Sequence, residues 1–238
     1  MDTPTPKFEG SRGSSSRPES PVADARVHSR RVRAWVLGAV VVIAIAVYFL
    51  VAAPPGPRSL RVFDPERTAA LELDMWQAYY ARRNVRLFAD LVTMLHDENR
   101  YSWATSARAA FHLARAAARF ATLRSDYEGQ VLPDLGAAYA IQRDWLHADF
   151  SPDAVARAEL AWWVARRVPG SDSPEQVGGL IADENALLYG VPRDRVLDAS
   201  TLRARAGKLR DDGGEQADWA AVSDLLHQSY RALHTAVQ

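Results

Sequence analysis

Two glutamates in this chain stand at the same distance from a tryptophan: Glu72 lies four residues before Trp76, and Glu159 four before Trp163. Residues four apart share a helix face, so each carboxylate is expected to lie against its indole. His147 and His234 repeat at the separation that relates the two glutamates, 87 residues. Two carboxylates and two imidazoles gathered by internal symmetry would make a metal-ligand set of the kind found in di-iron helical bundles. Those bundles use Glu-x-x-His, a spacing that occurs nowhere in this sequence. The competing expectation is structural: each glutamate meets an arginine or a backbone group, and the tryptophans fill the core.

Other chemistry-bearing residues are scattered. Asp224, His227 and Tyr230 follow one another along the last helix, with His234 on the same face as His227, so Asp224 could orient an imidazole. His96 and His112 stand singly beside apolar positions and read as satisfied partners. Arginine pairs at 82–83 and 166–167 close two similar helices and suit the negative end of the helix dipole, with an anion site as the functional alternative. A P-loop, a dinucleotide glycine fingerprint, a Gly-x-Ser-x-Gly elbow and a His-Glu-x-x-His helix are all absent. No cysteine is present, which excludes disulfides and thiolate sites.

Charge narrows the partners. The 238 residues carry 29 basic and 29 acidic side chains, but unevenly. The first 33 hold seven Lys/Arg against four Asp/Glu, and from Arg58 onward the balance turns slightly acidic. Nothing in that distribution makes the basic face that nucleic acid needs.

The elements that must hold these residues fall into four stretches. Residues 1–33 are rich in Ser, Pro, Gly and charge and read as a disordered tail. Ala34–Ala53 is a twenty-residue run without a charge, about 30 Å as a helix, and reads as a transmembrane helix. Its length and its thirty-residue leader argue for an uncleaved signal-anchor rather than a signal peptide. Arg30, Arg31 and Arg33 crowd its front edge, which places the N-terminus in the cytoplasm and the body outside the cytoplasmic (inner) membrane. Residues 54–62, opening with PPGP, form a linker.

From residue 63 to 238 the periodicity is helical throughout. Starts are marked by a capping residue before proline at Asp64-Pro65, Ser151-Pro152 and Ser173-Pro174, and further helices are expected from Asn84, Ser102, Pro133, Pro192 and Glu215. FDPERTAALELDMW (63–76) matches FSPDAVARAELAWW (150–163) at Phe, Pro, Ala, Glu, Leu and Trp. Candidate repeats therefore span 63–149 and 150–238, four helices each. The expected fold is all-α: one transmembrane helix, then a bundle of about eight helices in two pseudo-symmetric halves.

The pattern Leu-Glu-x-x-Met-Trp-x-x-Tyr-Tyr-x-Arg-Arg (71–83), with AELAWW (158–163) and ADWAAVSDLLHQSYRALHTAV (217–237), resembles an uncharacterised family of bacterial membrane-anchored all-helical proteins. The resemblance implies an anchor and a helical body, and no reaction. The expectation is a single-pass, non-catalytic interaction or assembly module without a cofactor, its body meeting a protein partner or a second copy. The alternative is a metal- or ligand-binding domain or enzyme using Glu72, Glu159, His147 and His234.

Overall fold

The computed structural model describes the backbone from Pro21 and the side chains from Trp35 to Gln238. It divides into two units, residues 1–47 and 48–238. The described residues are helical and contain no strand, as the periodicity predicted. The first helix, α1, runs from Pro21 to Val51. It therefore begins thirteen residues ahead of the apolar run and stops two short of Ala53. Residues 1–20, the larger part of the expected tail, lie outside the described residues. The expected twenty-residue transmembrane span is not shown: its side chains are described from Trp35 on, and among the described residues no helix is long and apolar enough to cross a membrane.

Eight helices make the second unit: α2 (Pro65–Tyr80), α3 (Asn84–Asp97), α4 (Trp103–Thr122), α5 (Tyr127–Leu146), α6 (Pro152–Ala165), α7 (Pro174–Tyr189), α8 (Arg193–Gly213) and α9 (Trp219–Val237). A 3-10 turn at Gly214–Gln216 precedes α9. From α2 to α9 each helix packs on the next in the chain, and α9 returns to pack on α2. The eight helices thus close a ring.

The starts follow the capping chemistry written in the sequence. The Asp64 side chain accepts from the amides of Glu66 and Arg67 at 2.9 and 3.2 Å, with Pro65 filling the first helical position, where its missing N–H costs nothing. Ser102, Ser151 and Ser173 cap α4, α6 and α7 in the same way. Two starts differ from expectation. α5 begins at Tyr127, not Pro133, and carries the proline inside the helix at the cost of one backbone hydrogen bond. α9 begins at Trp219, capped by Asp218, after the 3-10 turn has absorbed Glu215.

Small residues let the ring close tightly at one point. A β-carbon on Gly178 of α7 would lie 2.7 Å from the Cα of Thr201 on α8, closer than packed atoms tolerate, so only glycine fits. Apolar clusters join neighbouring helices around the ring. Ala116, Phe120, Val131, Leu135 and Val155 tie α4, α5 and α6 together, while Ala69, Ala206, Val222 and Leu226 lock α9 and α8 onto α2. Outside the ring's centre, Asp134 of α5 is buried beneath His112, Arg115 and Arg119 of α4. Burial pushes its carboxyl up, but the Arg115 and His112 hydrogen bonds outweigh it and hold Asp134 below its ordinary range.

Candidate functional site

Charged residues occupy core positions on four of the helices. On α6, Glu159 falls between Val155 and Trp162. On α7, Glu184 sits between Ile181 and Leu188, and on α8, Arg203 follows Val196 and Ala199. Helical spacing aims these positions inward along with their apolar neighbours. With Glu72 of α2 they meet at the middle of the ring.

Glu72 is fully engaged. Its Oε1 accepts from Trp76 Nε1 at 3.0 Å and from Arg203 Nε at 2.9 Å, and Arg203 Nη2 adds a second contact to the same oxygen. Its Oε2 accepts from the Tyr230 hydroxyl of α9 at 2.5 Å. The Arg203 guanidinium also lies 4.8 Å from the centre of the Trp162 ring, a cation–π placement. Burial works against its charge, but Glu72 more than compensates and holds the guanidinium firmly protonated.

Glu184 is engaged by neutral donors, the Trp162 indole N–H at 2.5 Å and the Tyr139 hydroxyl at 3.0 Å. Glu159 is different. Its Oε2 is shut off from bulk water and has no hydrogen-bond partner. Burial, then the charge of Glu184 beside it, push the Glu159 carboxyl up to about 8, against a smaller opposing pull from Tyr139 and Arg203. The Glu184 carboxyl is raised as well, first by burial. Two neighbouring carboxyls in a low-dielectric site cannot both ionise freely, so the Glu159–Glu184 pair holds a proton at neutral pH.

Glu72, Tyr139, Glu159, Trp162, Arg203 and Tyr230 face a cavity of about 500 Å³ in the middle of the ring. Each of the eight helices contributes to its wall, and the lining is largely apolar and aromatic, including Met75, Trp76, Tyr79, Leu91, Trp162 and Trp163. Glu72, Glu159 and Arg203 give it a polar end. A smaller cavity of about 200 Å³ shares Glu159, Trp162, Arg203 and Tyr230 and extends toward Glu184, Ser200 and Ser229. An apolar hollow with a few convergent polar groups is the usual form of a small-molecule site.

Of the four residues singled out by their repeat, the structure brings two to this cavity. Glu72 and Glu159 line it; His147 and His234 do not. His147 is exposed and ends α5 in the left-handed conformation, with φ at 52°. His234 packs edge-on against Phe63 at 5.1 Å between ring centres. Among the described residues no group of three His, Asp or Glu side chains is placed to hold a metal.

The expected Glu–Trp contact holds for Glu72 and Trp76 alone. In α6 the indole that turns to the polar cluster is Trp162, which bonds Glu184, while Trp163 packs on Phe120 at 5.1 Å. His227 pairs with Glu66 at 2.7 Å rather than with Asp224. The arginine pair at 166–167 also separates. Arg166 bonds Asp211 at 2.7 Å and the Tyr80 hydroxyl at 2.9 Å, and Arg167 lies 3.6 Å from the Phe120 ring centre while donating to the Phe120 and Leu123 carbonyls.

Glu184, Arg203 and Tyr139 were not picked out from the sequence; together with Tyr230, which the sequence offered only as part of the polar stripe on the last helix, they complete the site. For the two charged residues a signal existed: each interrupts an apolar stripe at helical spacing. Compared with protein-family models, curated proteins and solved structures, the chain shows no match, and its resemblance to membrane-anchored helical proteins rests on the motifs alone.

Proposed function

We propose that this protein is a membrane-tethered, non-catalytic ligand-binding domain whose site is the cavity at the centre of the helical ring. One observation carries the reading. A carboxylic acid with an unpartnered, water-excluded oxygen lies at the polar end of an aromatic cavity large enough for a small organic molecule. A buried polar atom without a partner costs about 1–3 kcal/mol, and a ligand that supplies the partner recovers it. This favours a ligand site over a purely structural interior, and over the expected protein-docking module.

A duplication of α2–α5 as α6–α9 supports the architecture. Both halves open with a capping residue and proline, and the ring's two joints, α5 on α6 and α9 on α2, are equivalent in such a scheme. In each half a tyrosine from the last helix, Tyr139 or Tyr230, reaches into the acidic cluster. The glutamates have since diverged: one is locked to arginine and the other is left free.

The tether rests on the sequence of Ala34–Ala53 and on α1. The described part of the run, Trp35–Val51, is seventeen residues, about 26 Å of helix, and each of its side chains is exposed. Water would charge a heavy cost for that surface, and a bilayer's hydrocarbon core would not. The arginines ahead of it favour a cytoplasmic N-terminus.

Native mass spectrometry of full-length protein gently released from its own membranes tests the ligand reading. One small molecule per chain, lost on unfolding, is the expected result. A bare chain that takes up none of a broad panel of small aromatic compounds would overturn it. Resistance of the full chain to alkaline carbonate extraction is expected from the tether, and release into the soluble fraction would refute it.

A further inference from the structure

The lining of the cavity also carries a ligand class. Its acids and bases do not balance. Glu72 is matched by Arg203, and Asp211 by Arg166. Glu184 accepts from the neutral donors Trp162 and Tyr139. Glu159 is matched by nothing at Oε2, and one turn further along α6 the cavity wall is aromatic, Trp162 and Trp163. Apart from Arg203 and Arg166, the described lining holds one more cation, Arg167, and its guanidinium is occupied by two backbone carbonyls and the Phe120 ring.

We infer that the cavity takes an organic amine: an ammonium head placed against the Glu159 carboxyl, whose Oε2 turns toward it on binding, and an apolar body among the aromatic side chains. This rests on the proposal that the cavity is a ligand site, and it names what that site selects. The ammonium supplies the hydrogen bond that Oε2 lacks and the positive charge that the Glu159–Glu184 pair lacks. Aromatic faces add cation–π attraction, which is strongest where water is excluded. An anion would have to sit beside two carboxyl groups, and a neutral alcohol would satisfy the hydrogen bond alone.

Proton release follows from the same geometry. Glu159 is faced by Tyr139 of α5, Glu184 of α7 and Arg203 of α8, and Glu72 of α2 and Tyr230 of α9 line the same cavity. The phenols of Tyr139 and Tyr230 are both held protonated, first by burial and then by the neighbouring carboxylates. Arg203 keeps its charge. The proton held by the Glu159–Glu184 pair is therefore the one that leaves when an ammonium arrives. Amine affinity then rises by up to about tenfold per pH unit below about 8, because the competing proton is stripped from the site.

Isothermal titration of the full-length protein in lipid nanodiscs with a matched series tests this: 4-phenylbutylamine, 4-phenylbutanol and 4-phenylbutyrate. The expected order is amine at least tenfold tighter than alcohol, and carboxylate weakest. Amine affinity should rise between pH 6 and 7.5 while alcohol affinity stays flat. In Glu159→Gln, whose fold is checked by its melting curve, the amine-to-alcohol ratio should fall toward one. Alcohol binding as tight as amine, or carboxylate binding tightest through Arg167, would overturn the amine inference and leave the cavity proposal standing. No binding by any of the three would overturn both.

Discussion

At the scale of single residues the interior is organised by four charges at core positions, and they are not equivalent. Glu72 and Arg203 form a buried ion pair whose remaining valences go to Trp76 and Tyr230. Breaking it would leave an uncompensated buried charge. Glu159 instead stores a proton. Its pKa in the fold is about 8 against 4.5 in an open chain, so the fold favours its protonated form. The stability it contributes is present in full below about 4.5 and is lost as pH rises through 8. Thermal melts of wild type and Glu159→Gln should agree at pH 5 and diverge at pH 9, where the glutamine variant melts higher. A variant that melts lower than wild type at both pH values would show that the free acid is not strained in the fold.

What the sequence made legible at this scale was the pair of repeated glutamates, because identity at a fixed offset is visible without a structure. The repeated histidines shared that signal and do not line the cavity. A left-handed helix end claims His147, and an apolar contact with Phe63 claims His234. Glu184 and Arg203 were missed although both sit on apolar stripes. A single charge within a helical stripe is conspicuous only once the stripe's inward face is known, and α8 is polar enough to hide it.

Among elements, the starts were legible wherever a capping side chain and a proline agreed, as at Asp64-Pro65, Ser151-Pro152 and Ser173-Pro174. Pro133 misled because proline marks a first turn only by preference, and α5 tolerates it seven residues in. Gly178 in α7 permits close packing against Thr201 of α8. Gly178→Ala is a direct test. Alanine adds roughly 1 kcal/mol of helix propensity, whereas forcing α7 off α8 costs about 1–3 kcal/mol. The variant should melt several degrees lower, at about 2–4 °C per kcal/mol for a domain of this size. A higher melting temperature would mean that the two helices are not held at contact there.

The second unit is a ring, and this was its least legible feature. Helical periodicity shows which face of a helix is apolar but not whether eight such faces collapse on one another or surround a space. Closure depends on α9 returning to α2, a contact between the two ends of the folded unit that no local pattern encodes. Because the ring surrounds aromatic walls and a polar end rather than a filled core, its centre can serve a ligand, and the pH dependence, the amine inference and the proposed function all require that hollow.

Ala117 of α4 lines the cavity and is partly accessible from it, which makes it the place to ask whether the hollow exists. The measurement is the unfolding free energy of Ala117→Leu against wild type in the absence of ligand. Leucine and alanine differ little in helix propensity, so the change reports the space in front of the side chain. If the centre of the ring is hollow, the added carbons bury against Leu91 and Leu113 and the variant is more stable by about 1 kcal/mol. If helices already fill that space, the same substitution overpacks it and destabilises by about 1–3 kcal/mol, and the account of a central ligand site is wrong.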